Sequence, residues 1–297
     1  MKVGIYLRVD APSQSTVANA ILDGCRIKRD EPFIFSNHAD IYKADTVILF
    51  GIGGDAKAVW NLAKSANVRT VLLDKPYIRQ VALSDKPRYW VLRVAVDESQ
   101  PLKYFQAIKH SPERWDALHI STTPYSLRND GVLLLDGASN KFVAWTGLGN
   151  GIGTDVEQWG DWGQRMVNKI RAYSDVPVVY RPRPDNNPTP YITGADISVV
   201  DDMYTDFRRS RVVVSYGGNI GYNAVIAGVP HFAMGDSIAR PLSETDWSRI
   251  TTPFTPSEAA RQQWLADIAW CQWNLDEFRS GVAWKYIRES MEIIDSL

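Results

Sequence analysis

The residues best suited to chemistry in this chain sit just after apolar runs. Residues 212–230 read VVVSYGGNIGYNAVIAGVP. Val212, Val213 and Val214 predict a strand buried on both faces. Ser215, Gly217, Gly218 and Asn219 then make a turn of small residues that tolerates left-handed backbone. A helical pattern resumes from Tyr222 to Ala227 and stops at Gly228, with Pro230 beyond it. A helix opened by such a turn presents N–H groups at a positive dipole end, which suits a phosphate, although the same turn also serves as an ordinary strand-to-helix connection. Two other apolar runs end in comparable chemistry. VLLLDG is followed by Ala138, Ser139, Asn140 and Lys141, and VPVVY by Arg181, Pro182, Arg183 and Pro184. Arginine binds phosphate oxygens in pairs, and the prolines hold both guanidinium groups on extended backbone. Ligands of open α/β sheets lie beyond the carboxyl ends of the strands, so the three loops together predict a diphosphate pocket.

Standard nucleotide fingerprints do not describe this pocket. No G-x-x-x-x-G-K-[ST] occurs, and GIGGDA matches the dinucleotide pattern only in part, with Asp55 where the pyrophosphate would lie. That glycine turn reads instead as room for another ligand.

The elements that must position these loops follow from the apolar rhythm. KVGIYLRV, DTVILFGIGG, RTVLLDK and RYWVLRVAV read as strands, with STVANAILDGCRI and DAKAVWNLAKSA as helices between them. This βαβ alternation predicts a parallel, doubly wound sheet. Turn-forming residues in HSPERWDALHISTTPYSLRNDG mark a domain boundary. A second series follows, with VLLLDG, VPVVYRPRP and RVVVSYGG as strands and DWGQRMVNKIRAYS as a helix. The remainder is helical. Thr255, Pro256, Ser257 and Glu258 spell a capping box, and Asn274 with Glu277 spells another. The expected domains are residues 1–118, residues 119–270, and a helical tail at 271–297 that packs back on the first.

Composition narrows the class. The chain has 297 residues, 45% hydrophobic and 23% charged, with net charge −1, as expected of a globular protein. Its two cysteines, Cys25 and Cys271, cannot build a disulfide framework, and neither lies in a metal-binding pattern. The opening MKVGIYLRVD reads as a strand rather than a secretory leader, and no apolar run is long enough to span a bilayer, so a cytoplasmic protein is expected. Residues 75–114 carry eight cations against four carboxylates, a local basic excess that a phosphate backbone or plain solvent would satisfy. Five of the 11 tryptophans, Trp247, Trp264, Trp270, Trp273 and Trp284, fall late in the chain and predict packing.

The run from Ser215 to Pro230, continued by Gly235, Ser237-Ile238-Ala239 and Pro241-Leu242-Ser243, resembles the donor-binding half of nucleotide-sugar glycosyltransferases of the GT-B fold. More closely, the chain resembles a phage and bacterial family of glycosyltransferases, some linked to modification of hydroxymethylated pyrimidines in DNA. The motifs LLDKPYIR, YWVLRVAV, GASNKF and VVYRPRP carry that resemblance. So does the tail PFTPSEAARQQWLADIAWCQWNLDEFRSGVAW, its most distinctive part.

The resemblance implies an α/β fold with two Rossmann-like domains facing a cleft and a C-terminal helical tail. It implies a metal-independent hexosyltransferase that moves a sugar from a nucleotide-sugar co-substrate, UDP-glucose being expected, to a hydroxyl, with double-stranded DNA as acceptor. A glycan or small-molecule acceptor, or nucleotide-sugar epimerisation, is the alternative. The residues implied for the donor are Arg181, Arg183, Ser215, Tyr216, Gly217, Gly218 and Asn219, assisted by Ser139 and Lys141. Glu244 or Asp246 would take the ribose hydroxyls. One departure is Gly217-Gly218, where relatives more often have Ser-Asn, which removes a hydroxyl but leaves the amides. A general base is expected in the first half, at Asp74 or Asp97, each of which follows a strand; Asp55, after the glycine turn, is a further acid there.

Overall fold

A computed structural model describes residues 1–7, 12–51, 53–78, 90–137, 156–183, 189 and 191–297. By contacts the chain divides into two units. One holds Met1–His119 together with Gln262–Leu297, and the other holds Ile120–Arg261.

The first unit is built on six strands. They are β1 (Lys2–Tyr6), β2 (Glu31–Phe35), β3 (Thr46–Phe50), β4 (Arg69–Asp74), β5 (Val91–Val96) and β11 (Gln272–Asn274), ordered β11-β5-β4-β3-β1-β2. β2, β1, β3 and β4 are parallel, with β1, β3 and β4 where the alternating pattern predicts parallel strands and β2 an addition that the pattern did not show. Their central members, Val47, Ile48 and Leu49 with Val71, Leu72 and Leu73, are buried, as in strands covered on both faces. The parallel expectation fails at β5, which runs antiparallel to β4 with Val71 opposite Val96. A run of Val, Leu and Ala states that a strand is buried but carries no sign of its direction.

The tail completes this unit. β11 pairs antiparallel with β5, and Leu275 N–H donates to the carbonyl of Trp90. Asn274 caps the helix Leu275–Arg279 in the expected box with Glu277. Arg114 grips Glu277 at 2.6 Å and lies 4.1 Å from the centre of the Trp273 ring. Trp273 and Trp284 are core residues. Contacts with this unit begin before residue 271. Buried Asp267 accepts from the backbone N–H of His110 at 2.9 Å, and Gln263 donates to the His110 carbonyl at 3.0 Å. The helix Glu258–Trp270 is capped by Ser257, whose hydroxyl accepts from Ala260 N–H, so the box expected at Thr255 does not form. Pro256 precedes that cap instead of opening the helix.

The second unit is a five-stranded, all-parallel sheet. Its strands are β6 (Val132–Asp136), β7 (Val178–Arg181), β8 (Asp196–Ile197), β9 (Ser210–Ser215) and β10 (His231–Ala233), ordered β10-β9-β6-β7-β8. Alternate residues of β6 serve two cores. Leu133 and Leu135 join Trp162, Val167 and Ile170 of the helix Val156–Arg171, while Leu134 joins Phe207 and Ala224 on the other side. The chain leaves β6 toward β7 and β8, then returns to the opposite side of β6 for β9 and β10. The order therefore reverses between β6 and β9.

Candidate functional site

A reversal of strand order opens a crevice at the carboxyl ends of the two strands that flank it, because their connections depart in opposite directions. In the second unit those ends are Asp136 on β6 and Ser215 on β9. The strands run in register with Leu135 opposite Val214, which brings Asp136 and Ser215 level at the same edge. Arg181 ends β7 opposite Asp136, so it shares that edge. The ends of the three strands that precede the sequence-derived loops thus lie on one side of one sheet. Ser139 and Lys141 lie outside the described residues.

The turn after β9 has the expected form. Gly218 caps the helix Asn219–Ile226 with φ of 120° and ψ of 179°, a backbone that side-chain-bearing residues rarely adopt. A Cβ at Gly218 would meet nothing within 4 Å, so the turn is uncovered among the described residues. The helix keeps its first turn taut through Asn223, whose side-chain amide donates to the carbonyl of Asn219 at 2.8 Å. Tyr216 and Gly217 are half-buried. The Tyr216 ring lies against Gly235, where a Cβ would approach to 2.6 Å.

Ser215 does not present its hydroxyl to a ligand as expected. It is fully buried, and its Oγ lies 2.8 Å from Nε2 of His231. Nδ1 of His231 lies 2.6 Å from Oγ of Ser243, which itself donates to the carbonyl of Ala239. Ser243 therefore accepts from Nδ1–H, and Ser215 donates to Nε2. Burial holds the His231 ring neutral, with its pKa lowered to about 3. The relay ties β9 to β10 and the segment after it, a fixing role rather than a binding one.

The two arginines also separate. Arg181 donates to Asp206 at 2.6 Å and to the carbonyls of Val200 and Asp201. Asp206 is fully buried and also holds Arg209 and Ser198. Arg181 is thus committed to the fold, which corrects its expected part in phosphate binding. Arg183 is half-buried beyond the strand end, and its charge reaches Asp136.

Asp136 is the residue that sequence reasoning passed over. Burial raises its pKa to about 7, against the opposing charges of Arg183 and Arg181. Gly137 beside it has no room for a side chain, since a Cβ would lie 2.8 Å from the Tyr180 hydroxyl. The signal was present: Asp136 ends VLLLDG just as Asp74 ends TVLLD.

Glu244 and Asp246 serve their own loop. Glu244 is buried, and although burial alone would raise its pKa, three backbone N–H groups and Arg249 hold it below the ordinary value. Those amides belong to Thr245, Asp246 and Phe254. Asp246 is exposed and caps a short turn through Ser248, whose side chain and amide lower its pKa.

In the first unit the antiparallel strand parts the two candidate bases. Asp74 ends β4 at the carboxyl edge, 3.0 Å from Arg93, which also donates to Gln100. Asp97 follows β5, so it falls at the opposite, amino-terminal edge of the parallel strands. There it accepts from Thr70 N–H and from Arg69 at 2.7 Å, and Arg69 also grips Asp295. Asp97 is a structural clasp, which corrects its place as a candidate base. Asp55 is exposed at the start of the helix Asp55–Ser65, beside the glycine turn. His38, which follows β2, has its ring 5.9 Å from that of Tyr6 at the end of β1, another titratable group near the carboxyl edge.

No protein-family model and no curated protein matches the chain. Solved structures do. The Thermosulfurimonas dismutans KpsC, beta Kdo 2,7 transferase, is similar with a TM-score of 0.51 and 12% identity, over 95% of this chain and 99% of that one. The Thermosulfurimonas dismutans KpsC, beta Kdo 2,4 transferase, is similar with a TM-score of 0.50 and 10% identity, over 90% of each chain. At such identities the likeness shows the fold alone: two Rossmann-like α/β units of the GT-B kind.

Proposed function

We propose that the protein transfers a sugar from a nucleotide-sugar donor, a UDP-sugar, to a hydroxyl acceptor. The observation that carries this reading is the reversal of strand order in the second unit, with the open Gly218 turn on one side and Asp136 with Arg183 on the other. Glycosyl transfer expels a diphosphate whose negative charge grows as the sugar departs. Fixed amides at the start of the helix Asn219–Ile226 and the Arg183 guanidinium stabilise that charge, with Lys141 assisting. Asp246, the exposed member of its pair, is the residue for the ribose hydroxyls. Asp74, at the carboxyl edge of its sheet, is the residue for accepting the proton of the acceptor hydroxyl.

For the acceptor, the resemblance of the sequence supports a hydroxymethylated pyrimidine in phage DNA. A second reading, a glycan or small-molecule hydroxyl, is supported by the fate of the basic segment. Arg93 pairs with Asp74, Lys109 with Asp267 and Arg114 with Glu277, so these three cations of the segment are already matched by carboxylates.

Incubation with UDP-glucose and with hydroxymethylated DNA, unmodified DNA or free glycans separates the readings. UDP release only with hydroxymethylated DNA supports the first acceptor, and release only with glycans supports the second. Calorimetry tests the donor site itself. Arg183→Ala is expected to weaken UDP-glucose binding by roughly tenfold or more, the value of a charge-assisted phosphate contact, while Arg181→Ala lowers stability instead. Equal affinities for wild type and Arg183→Ala would refute the pocket.

A further inference from the structure

We infer that Asp136 is a proton-linked gate on donor binding: the carboxylate takes up a proton from solvent as a diphosphate enters, and gives it back when the diphosphate leaves. The inference rests on the donor-site reading above and deepens it.

Position comes first. Asp136 ends β6, the central strand of its sheet, and flanks the reversal of strand order at which an anionic ligand would settle. An acid is an odd occupant of such a place, because an ionised carboxylate repels the phosphates that the facing amides attract. Either it is silenced or binding suffers.

The charges around Asp136 do not silence it by pairing alone. From β7 and its continuation it faces Arg181 and Arg183, the charged groups that act on it among the described residues. Arg181 is spent largely on Asp206, at 2.6 Å. From β9 the level residue is Ser215, which is uncharged and donates its hydroxyl to a neutral His231. The next group on that strand end is Tyr216, whose pKa is raised by burial and by Asp236, so it carries no charge near neutrality. Half-buried among these groups, the Asp136 carboxyl titrates at about 7, where a small push decides its state.

A diphosphate supplies that push. Its negative charge disfavours the ionised form of a neighbouring acid. It also draws the Arg183 guanidinium toward itself and away from Asp136. Both effects protonate Asp136, which then becomes a hydrogen-bond donor where it had been a repelling charge. By reciprocity, deprotonation must expel the ligand to the same degree.

UDP-glucose is the suitable probe, because its diphosphate is esterified at both ends and keeps a constant charge across the neutral range. Wild-type affinity should fall by about tenfold between about pH 6 and about pH 8, as linkage to one group titrating near neutrality requires. Calorimetry in two buffers of different ionisation heat should show uptake of a fraction of a proton per ligand bound. Asp136→Asn keeps the shape and removes the titration. Its affinity should be flat over that range and should exceed that of wild type at the alkaline end.

Binding of UDP-glucose with no proton uptake, or the same pH slope in Asp136→Asn as in wild type, would overturn the inference and leave the donor site standing. Failure of wild type to bind UDP-glucose at any pH would overturn the donor-site reading and the inference together. If Asp136→Asn does not fold, the two-buffer measurement on wild type decides alone.

Discussion

The two units end their apolar strands with the same residue type and use it differently. In the first, Asp74 and Asp97 follow strands and meet arginines, Arg93 at 3.0 Å and Arg69 at 2.7 Å. In the second, burial raises the pKa of Asp136 to about 7, and no group among the described residues donates to it closely. Asp206, a few residues before β9, is the opposite extreme, fully buried and gripped by Arg181, Arg209 and Ser198. A strand-end acid thus becomes a clasp where a guanidinium and a backbone amide of the neighbouring strand both close on it, as at Asp97, and a proton switch where burial outweighs the charges nearby, as at Asp136. The sheet decides which, because an antiparallel strand such as β5 brings an amino-terminal residue of its neighbour alongside.

Three substitutions test that contrast. Asp206→Ala should have the largest effect, a loss of about 3 kcal/mol or more in chemical denaturation, because it strands two guanidinium groups against a buried site. A loss under about 1 kcal/mol would show that Arg181 is not committed to the fold, and would restore it as a phosphate ligand. Asp136→Asn comes next, with the opposite sign. The folded pKa of Asp136 is raised from 3.8 to about 7, so its carboxyl favours folding in acid and opposes it increasingly as pH rises through that interval. Asparagine should therefore stabilise the protein at and above neutral pH, on the order of 2 kcal/mol, and should have little effect below about pH 4. An unchanged difference between the two proteins across pH would break the contrast between paired and buried acids. Asp97→Asn should be the mildest, under about 1 kcal/mol, since the ion pair with Arg69 is partly exposed. Asparagine also tolerates the left-handed backbone at this position, where φ is 57°. A loss of the proposed sugar transfer with Asp97→Asn at unchanged stability would contradict its assignment as a clasp.

Much of the fold was legible because apolar runs and turn residues report locally. The strands at Val178–Arg181 and Ser210–Ser215 and the Asn274 box with Glu277 lie where the sequence pattern puts them. Gly228, with φ of 68°, closes its helix as its type requires. Short strands were missed, β8 with two residues and β10 and β11 with three each, because such lengths carry no period, and β2 was missed because Pro32 interrupts its apolar run. The direction of β5 was missed for a different reason: burial is written in residue type, but the sense of pairing is not.

The candidate site divides along the same line. Gly217, Gly218 and Asn219 could be placed from sequence, since backbone geometry limits which residues make a small-residue turn before a helix. Arg181 and Arg183 looked alike in RPRP, and only the position of Asp206 separates them. Glu244 and Asp246 looked alike as well, until three backbone amides closed on the first.

Residue types alone were enough to show two α/β units with polar turns after buried strands, because those properties follow from side-chain size, branching and backbone freedom at each position. Which acids and cations are spent on one another emerges only once the chain is folded. Charge pairing and desolvation depend on groups far apart in the chain, as Arg69 and Asp295 are, and no local pattern encodes that distance.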